Sequence, residues 1–273
     1  MSIVEHEHEH AWCASTPKRF GISELPNRGS SLKSVGTALD VLECFATDGE
    51  LGVSDVARRL GVAKSTAHRV LQTLLSRGFI QQDHETGMYR LGIHIYDLGQ
   101  LAQARNEVRH AAMPTLRQVA RATGHTVNFA VPDGGDVVFV ERIENVAGVH
   151  ILGHVGRRLP AHCTSSGKVI AAFNPEAYQS RVEAGFPPRV SKTVRSLADW
   201  DRVVAQARKD GYAVSHSESF DLASSVAVAI VVRRVAVASI SVFGPTEEIA
   251  PQVDRLVPLL LAASNRISRA LTG

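Results

Sequence analysis

Apolar and polar positions change rhythm once along the chain. From Leu32 the residues Leu32, Val35, Leu39, Leu42 and Phe45 recur at steps of three and four, the spacing of one helix face, until the Thr47-Asp48-Gly49 turn. Ser54 stands ahead of Val56, Ala57 and Leu60 as the expected N-cap of a short helix that Gly61 closes. Ala67, Val70, Leu71, Leu74 and Leu75 then share one face of a helix from about Lys64 to Arg77, which Gly78 ends. Phe79–Gln82 and Met88–Leu91 predict two short strands around the loop Asp83-His84-Glu85-Thr86-Gly87, hence a hairpin. A helical stretch from Ile93 to about Ala111, with Ile95, Leu98, Leu101 and Ala102 on one side, predicts a connector, and a further helix after Pro114 ends at Gly124.

Beyond Gly124 the period drops to two. Val127, Phe129 and Val131, then Val137–Val140, predict strands flanking Pro132-Asp133-Gly134-Gly135, with another at Val149–Val155. Ser165 to Phe173 predicts a helix, and Ser196-Leu197-Ala198-Asp199 opens another that stops at Gly211. Tyr212–Val214, Val226–Val232 and Val235–Phe243 predict strands, and a last helix runs from about Ile249 to Leu271 despite Pro251 and Pro258. Strands and helices without regular alternation predict an α+β domain. The organisation expected is therefore a disordered tail (1–30), a winged helix-turn-helix (31–92), a linker helix (93–112) and an α+β domain (113–273).

Composition bounds the function. The 273 residues are 44% hydrophobic and 21% charged, ordinary for a chain with real cores. The longest apolar run, Val226–Val232, is far short of the ~20 residues a spanning helix needs, so no membrane role is expected. MSIVEHEHEH has neither a basic start nor an apolar stretch, and three widely spaced cysteines do not form a disulfide framework; both point to the cytoplasm. The net charge of +3 is too mild to imply nucleic acid, but its distribution is uneven. Between Val56 and Gln82 stand Arg58, Arg59, Lys64, Arg69 and Arg77 without one acidic residue.

Two helices joined at a glycine, with a hairpin behind them, make a winged helix-turn-helix. Opposite the apolar face of the second helix lie Ser65, Thr66, Arg69, Gln72 and Thr73, rich in donors and free of acids. Arg69 suits guanine O6/N7 and Gln72 suits adenine N6/N7 in a major groove. Lys64, Ser65 and Thr66 sit where free backbone N–H groups favour phosphate. Ser54, His68 and, on the returning strand, Arg90 complete the DNA-contacting candidates.

The segments SLKSVGTALDVLECF, LGVSDVARRLGVAKSTAHRVLQTLLSRGFI, GMYRLG, GRRLPAHCTSSGKVIAAF, KDGYAVSHSES and SISVFGP, in that order, resemble IclR-type transcriptional regulators over nearly everything after residue 30. The resemblance implies a linker helix used in dimerisation, a GAF-like domain that binds a small molecule, and a homodimer or homotetramer on a palindromic DNA operator, with no cofactor. It assigns Ser165, Ser166 and Gly167 to a pocket loop and Ser215 to an often acidic pocket position. Ser225 falls at a Ser/Cys position, Ser241 is a strand serine, and Phe243 replaces a commonly small or polar residue. Several hydroxyls, one aromatic and no acid suit a small carboxylic acid, and the Thr164-Ser165-Ser166-Gly167 helix start suits its charge. Leu222 stands where the family often has glycine, and the turn Arg233-Arg234 lacks the usual Gly or Asn.

Competing chemistries fare worse. Cys163 beside His162 suggests a thiol nucleophile, but neighbouring side chains need not face each other and no orienting third group is evident. Gly167-Lys168 is not a phosphate loop, since His162 occupies the earlier glycine position and Val169 that of the magnesium hydroxyl. His6, His8, His10 and Cys13 offer a metal-binding tail, against which alternation with Glu favours plain solvation; no metal is expected. A small-molecule binding protein without an operator is the remaining alternative, with a thiol enzyme behind it.

Overall fold

The computed structural model describes residues 32–46, 48–144 and 155–272. The tail expected at 1–30, with its metal-binding alternative, and most of the strand expected at Val149–Val155 lie outside them. By contacts the chain divides into two units that meet between Glu107 and Val108.

In the first unit, α1 (Lys33–Cys44), α2 (Val53–Leu60) and α3 (Lys64–Ser76) precede an antiparallel hairpin, β1 (Ile80–Gln82) and β2 (Tyr89–Leu91), in which Gln81 faces Arg90. The apolar stripes meet as the periodicity requires: Val41, Phe45, Val56, Ala67, Leu71, Leu74, Ile80 and Tyr89 form one buried core. One cap differs from the reading. Gly52, not Ser54, precedes α2, because the Asp55 carboxylate reaches back to accept the Gly52 N–H at 3.2 Å and so fixes the start two residues earlier. The α1 stripe also splits, with Leu32, Val35 and Leu39 left 70%, 52% and 55% exposed.

The connector expected as one helix to Ala111 is two. α4 (Ile93–Ala104) belongs to the first unit and has no buried residue, while α5 (Glu107–Thr123) starts before Pro114 and continues through it. Pro114 lies on the exposed side, while Ala112, Leu116 and Val119 hold the opposite face in the core.

The second unit is a six-stranded antiparallel sheet flanked by helices. Its strands are β3 (Thr126–Asp133), β4 (Asp136–Ile143), β5 (Arg158–Pro160), β6 (Tyr212–His216), β7 (Ala223–Val232) and β8 (Val235–Pro245), in the order β5-β4-β3-β8-β7-β6. Alternation along the central strands sorts residue sizes between the faces. Val226, Val228, Ile230, Ile240 and Val242 pack with α5 and the long α10 (Val253–Ala270). Ala227, Ala229 and Ala236 turn to the other face, which α6 (Ser165–Phe173), α7 (Pro175–Ala184) and α8 (Leu197–Asp210) cover. Small residues there admit α6 closely. Helix α7 was not expected, although Asn174-Pro175 marks its start: the Asn174 side chain caps the Ala177 N–H at 3.0 Å. The last helix is preceded by a short α9 (Thr246–Ile249) and a 3-10 turn that takes Pro251 at its start.

Two backbone positions explain the sequence oddities. Leu222, 81% exposed, has φ of 60°, so the glycine common at this place answers a left-handed backbone. Arg233 and Arg234 both have positive φ, 49° and 69°, and close the β7–β8 hairpin without Gly or Asn.

Candidate functional site

On α3 the residues Lys64, Ser65, Thr66, His68, Arg69, Gln72 and Thr73 are all exposed, opposite the buried Ala67, Leu71 and Leu74. The residue preceding α3 is Ala63, which offers no side-chain cap, so the first N–H groups of the helix remain for an anion. Charges in the window are not equal. Arg58 pairs with Asp55 at 2.6 Å and Arg59 pairs with Asp48, whereas Lys64, Arg69 and Arg77 make no ion pair among the described residues. The positive charge left over is therefore on α3 and its end. In the hairpin loop, Asp83 turns inward and accepts the N–H groups of Glu85 and Thr86 at 2.9 and 2.8 Å, which holds its carboxyl below the usual range. Arg90 is exposed, with Glu50 3.9 Å away, and Ser54 is exposed on the first turn of α2. Two α3 side chains are already engaged: Thr73 donates to the Arg69 carbonyl at 2.9 Å, and Gln72 donates to the Tyr89 hydroxyl at 3.2 Å.

In the second unit, a cavity with about 370 Å³ of space, its open mouth included, lies where α6 meets the sheet. Ser165, Ser166, Ser215, Ser225, Ser241 and Phe243 line it, brought together from four elements. Gly167 is not a lining residue. A side chain there would overlap Ala161, its Cβ falling 2.3 Å from the Ala161 Cα and O, so this glycine lets α6 lie against the preceding turn. The hydroxyls are organised: Ser165 and Ser225 share a hydrogen bond of 2.7 Å, Ser166 donates to Ser241 at 3.4 Å, and Ser215 donates to the Cys163 carbonyl at 3.2 Å. Thr164 caps the Gly167 N–H at 2.9 Å, which leaves the earlier N–H groups of α6 beside the cavity.

Sequence reasoning missed half of the lining. Asn128 and Phe139 from β3 and β4, Leu159 from β5, and Ser219, Phe220 and Ala223 around Leu222 also contribute. No carboxylate lines the cavity. Its aromatic walls instead carry cations: the Arg142 guanidinium lies 5.7 Å from the Phe243 ring centre, Arg157 4.4 Å and Arg189 5.9 Å from that of Phe220. Burial, then the charges of Arg189 and Arg142, pushes Arg157 down to about 10. Spacing gave no signal for this group, because its members come from separate loops and strands.

His162 and Cys163 do not form a catalytic pair. The His162 ring donates from Nε2 to the Pro187 carbonyl at 3.0 Å, and burial pushes its pKa down to about 4. The Cys163 thiol donates to the Pro160 carbonyl at 3.1 Å, and burial raises its pKa above the ordinary thiol value. Among the described residues no cluster of His, Cys, Asp and Glu is arranged for a metal, and no helix is long and apolar enough to cross a membrane.

A family model described as "Bacterial transcriptional regulator IclR C-terminal" matches residues 100–269, and one described as "IclR helix-turn-helix domain" matches residues 34–84. The chain belongs to the IclR family of transcriptional regulators. Among its relatives, the HTH-type transcriptional regulator XynR of Escherichia coli (strain K12) is 33% identical over 203 residues, 73% of this chain and 80% of the relative. The IclR regulator structure from Alicyclobacillus acidocaldarius has a TM-score of 0.77 at 27% identity and covers 88% of this chain and 99% of its own. An IclR homologue from Microbacterium hydrocarbonoxydans, solved with 4-hydroxybenzoate, has a TM-score of 0.76 at 27% identity, with 88% and 99% coverage. XynR and the Alicyclobacillus protein are named as transcriptional regulators, and this IclR-family chain is a transcriptional regulator rather than an enzyme.

Proposed function

We propose that this regulator binds a palindromic operator through α3 as a homodimer or homotetramer, and that a small carboxylic acid in the cavity of the second unit alters that binding. The observation that carries the reading is charge placement: neither the α3 helix nor the cavity lining contains an acid, and each has positive groups beside it. On α3 the face with Ser65, Thr66, Arg69 and Gln72 is exposed and the helix start is uncapped. At the cavity, the α6 start and the Arg157 and Arg189 guanidiniums over Phe220 suit a carboxylate carried on an apolar or aromatic body, while Arg142, over Phe243, is paired with Glu144 at 2.7 Å. The 4-hydroxybenzoate of the Microbacterium homologue has that chemistry. Oligomerisation is supported by α4, which buries no residue within the chain although Ile93, Tyr96, Leu98 and Leu101 are large and exposed. Two copies would place two α3 helices on half-sites one or more helical turns apart.

Selection of fragments from sheared genomic DNA by the purified protein, at two salt concentrations, tests the operator. One inverted repeat is expected, and recovery of salt-labile fragments without a shared sequence would contradict it. Calorimetry with benzoate, 4-hydroxybenzoate and pyruvate, set against the uncharged benzamide, tests the effector class. Saturable heat from at least one acid is expected, and equal binding of the amide would contradict the charge argument.

A further inference from the structure

Tyr89 is buried in the first unit, 1% exposed, yet its hydroxyl meets a side chain from the exposed face of α3. Its backbone is fixed from both sides. Its N–H and C=O exchange hydrogen bonds of 2.9 and 3.0 Å with Leu51, and across the hairpin it pairs with Gln82. From this anchored place the phenol oxygen accepts Gln72 Nε2 at 3.2 Å. Gln72 itself is exposed and stands on the same ridge of α3 as Ser65 and Arg69, three and four residues apart.

We infer that Tyr89 is a positioning residue for base readout, holding the Gln72 amide so that its second Nε2–H and its Oε1 face outward as a donor–acceptor pair. The inference rests on the operator-binding reading and adds to it the source of one base preference. A carboxamide has two N–H donors and one carbonyl acceptor, so a single bond to the phenol leaves the pair intact. Adenine presents the complement in the major groove, N7 accepting and N6–H donating. An unrestrained glutamine loses its rotamer freedom only when it meets a base, whereas one held by the hairpin has lost much of it beforehand. Tyr89 touches no DNA in this arrangement, and the hairpin contributes to sequence selection from inside the fold.

The test is selection from random duplexes by full-length wild type, Tyr89→Phe, Gln72→Ala and the double variant, with thermal unfolding followed in parallel. Wild type is expected to select adenine at one position in each half-site, and Gln72→Ala to lose the preference there. Tyr89→Phe is expected to lower it about three- to tenfold at that position alone, the range one hydrogen bond supplies. In the Gln72→Ala background it should add nothing. Gln72→Asn, a surface change that leaves the core intact, keeps an amide but falls one methylene short of the phenol, and is expected to select adenine as weakly as Gln72→Ala. An unchanged motif for Tyr89→Phe, an even loss at every position, full adenine preference in Gln72→Asn, or a base other than adenine at the Gln72 position would each overturn the inference. Failure of wild type to enrich any motif would instead overturn the operator reading beneath it.

Discussion

The two units carry their candidate sites on opposite sides of their cores. In the first, the helix that packs Ala67, Leu71 and Leu74 inward presents its candidate DNA-contacting side chains outward, so one helix holds both patterns. In the second, the candidate site is inside, between α6 and the sheet, and its lining comes from segments as far apart in the chain as Asn128 and Phe243. A surface site tolerates substitution because its side chains do not fill the core; an internal one shares its residues with the packing. Stability and function should therefore separate cleanly in the first unit and be entangled in the second.

The sharpest break of this comparison comes from Gly167. Gly167→Ala forces a methyl to within 2.3 Å of Ala161 backbone atoms, and about 3 kcal/mol of lost stability is expected, with the cavity lost alongside it. Thermal unfolding of the variant checks this, and an unchanged melting temperature would refute the close approach.

Next in size is a pH effect from His162. Its folded pKa of about 4 lies below the unfolded 6.5, so between these values the unfolded chain binds the extra proton and stability rises with pH. The contribution is complete above about pH 6.5 and lost as pH falls through about 4, about 3 kcal/mol in all. Denaturant titrations across that range should show the slope, and His162→Gln should flatten it.

In the first unit the expected effects fall on binding. Arg69→Ala should remove about 1–3 kcal/mol of discrimination at one base pair while leaving the unfolding free energy within about 0.5 kcal/mol of wild type. Lys64→Ala should weaken all sequences alike and reduce the salt dependence, as competition against random DNA would report. Smallest is Leu222→Gly, which relieves a left-handed leucine at an exposed site and should stabilise the second unit by about 1 kcal/mol.

Legibility in the sequence follows the same division. The α3 face could be read directly, since helical period and exposure are one pattern, and only tertiary partners such as Tyr89 on Gln72 escaped it. The cap at Gly52 escaped because Asp55 bonds backward over three residues, a choice that Ser54 masked. In the second unit the serines were found through resemblance, not periodicity. Phe139, Ser219 and Phe220, with the arginines stacked on two of the cavity's aromatics, follow from strand register and loop path, which no local spacing encodes. Helix α7 has its start signal in Asn174-Pro175, the capping side chain followed by the proline of a first helical turn.

The central claim is that these two unlike sites act on one another. Fluorescence anisotropy of the selected operator, titrated with protein in the absence and presence of a saturating acid from the calorimetric panel, tests it most directly. The account predicts that the acid changes operator affinity by about 5- to 150-fold, the usual span of coupling between two sites, and that benzamide does not. An acid that saturates the protein yet leaves the operator curve in place would contradict it.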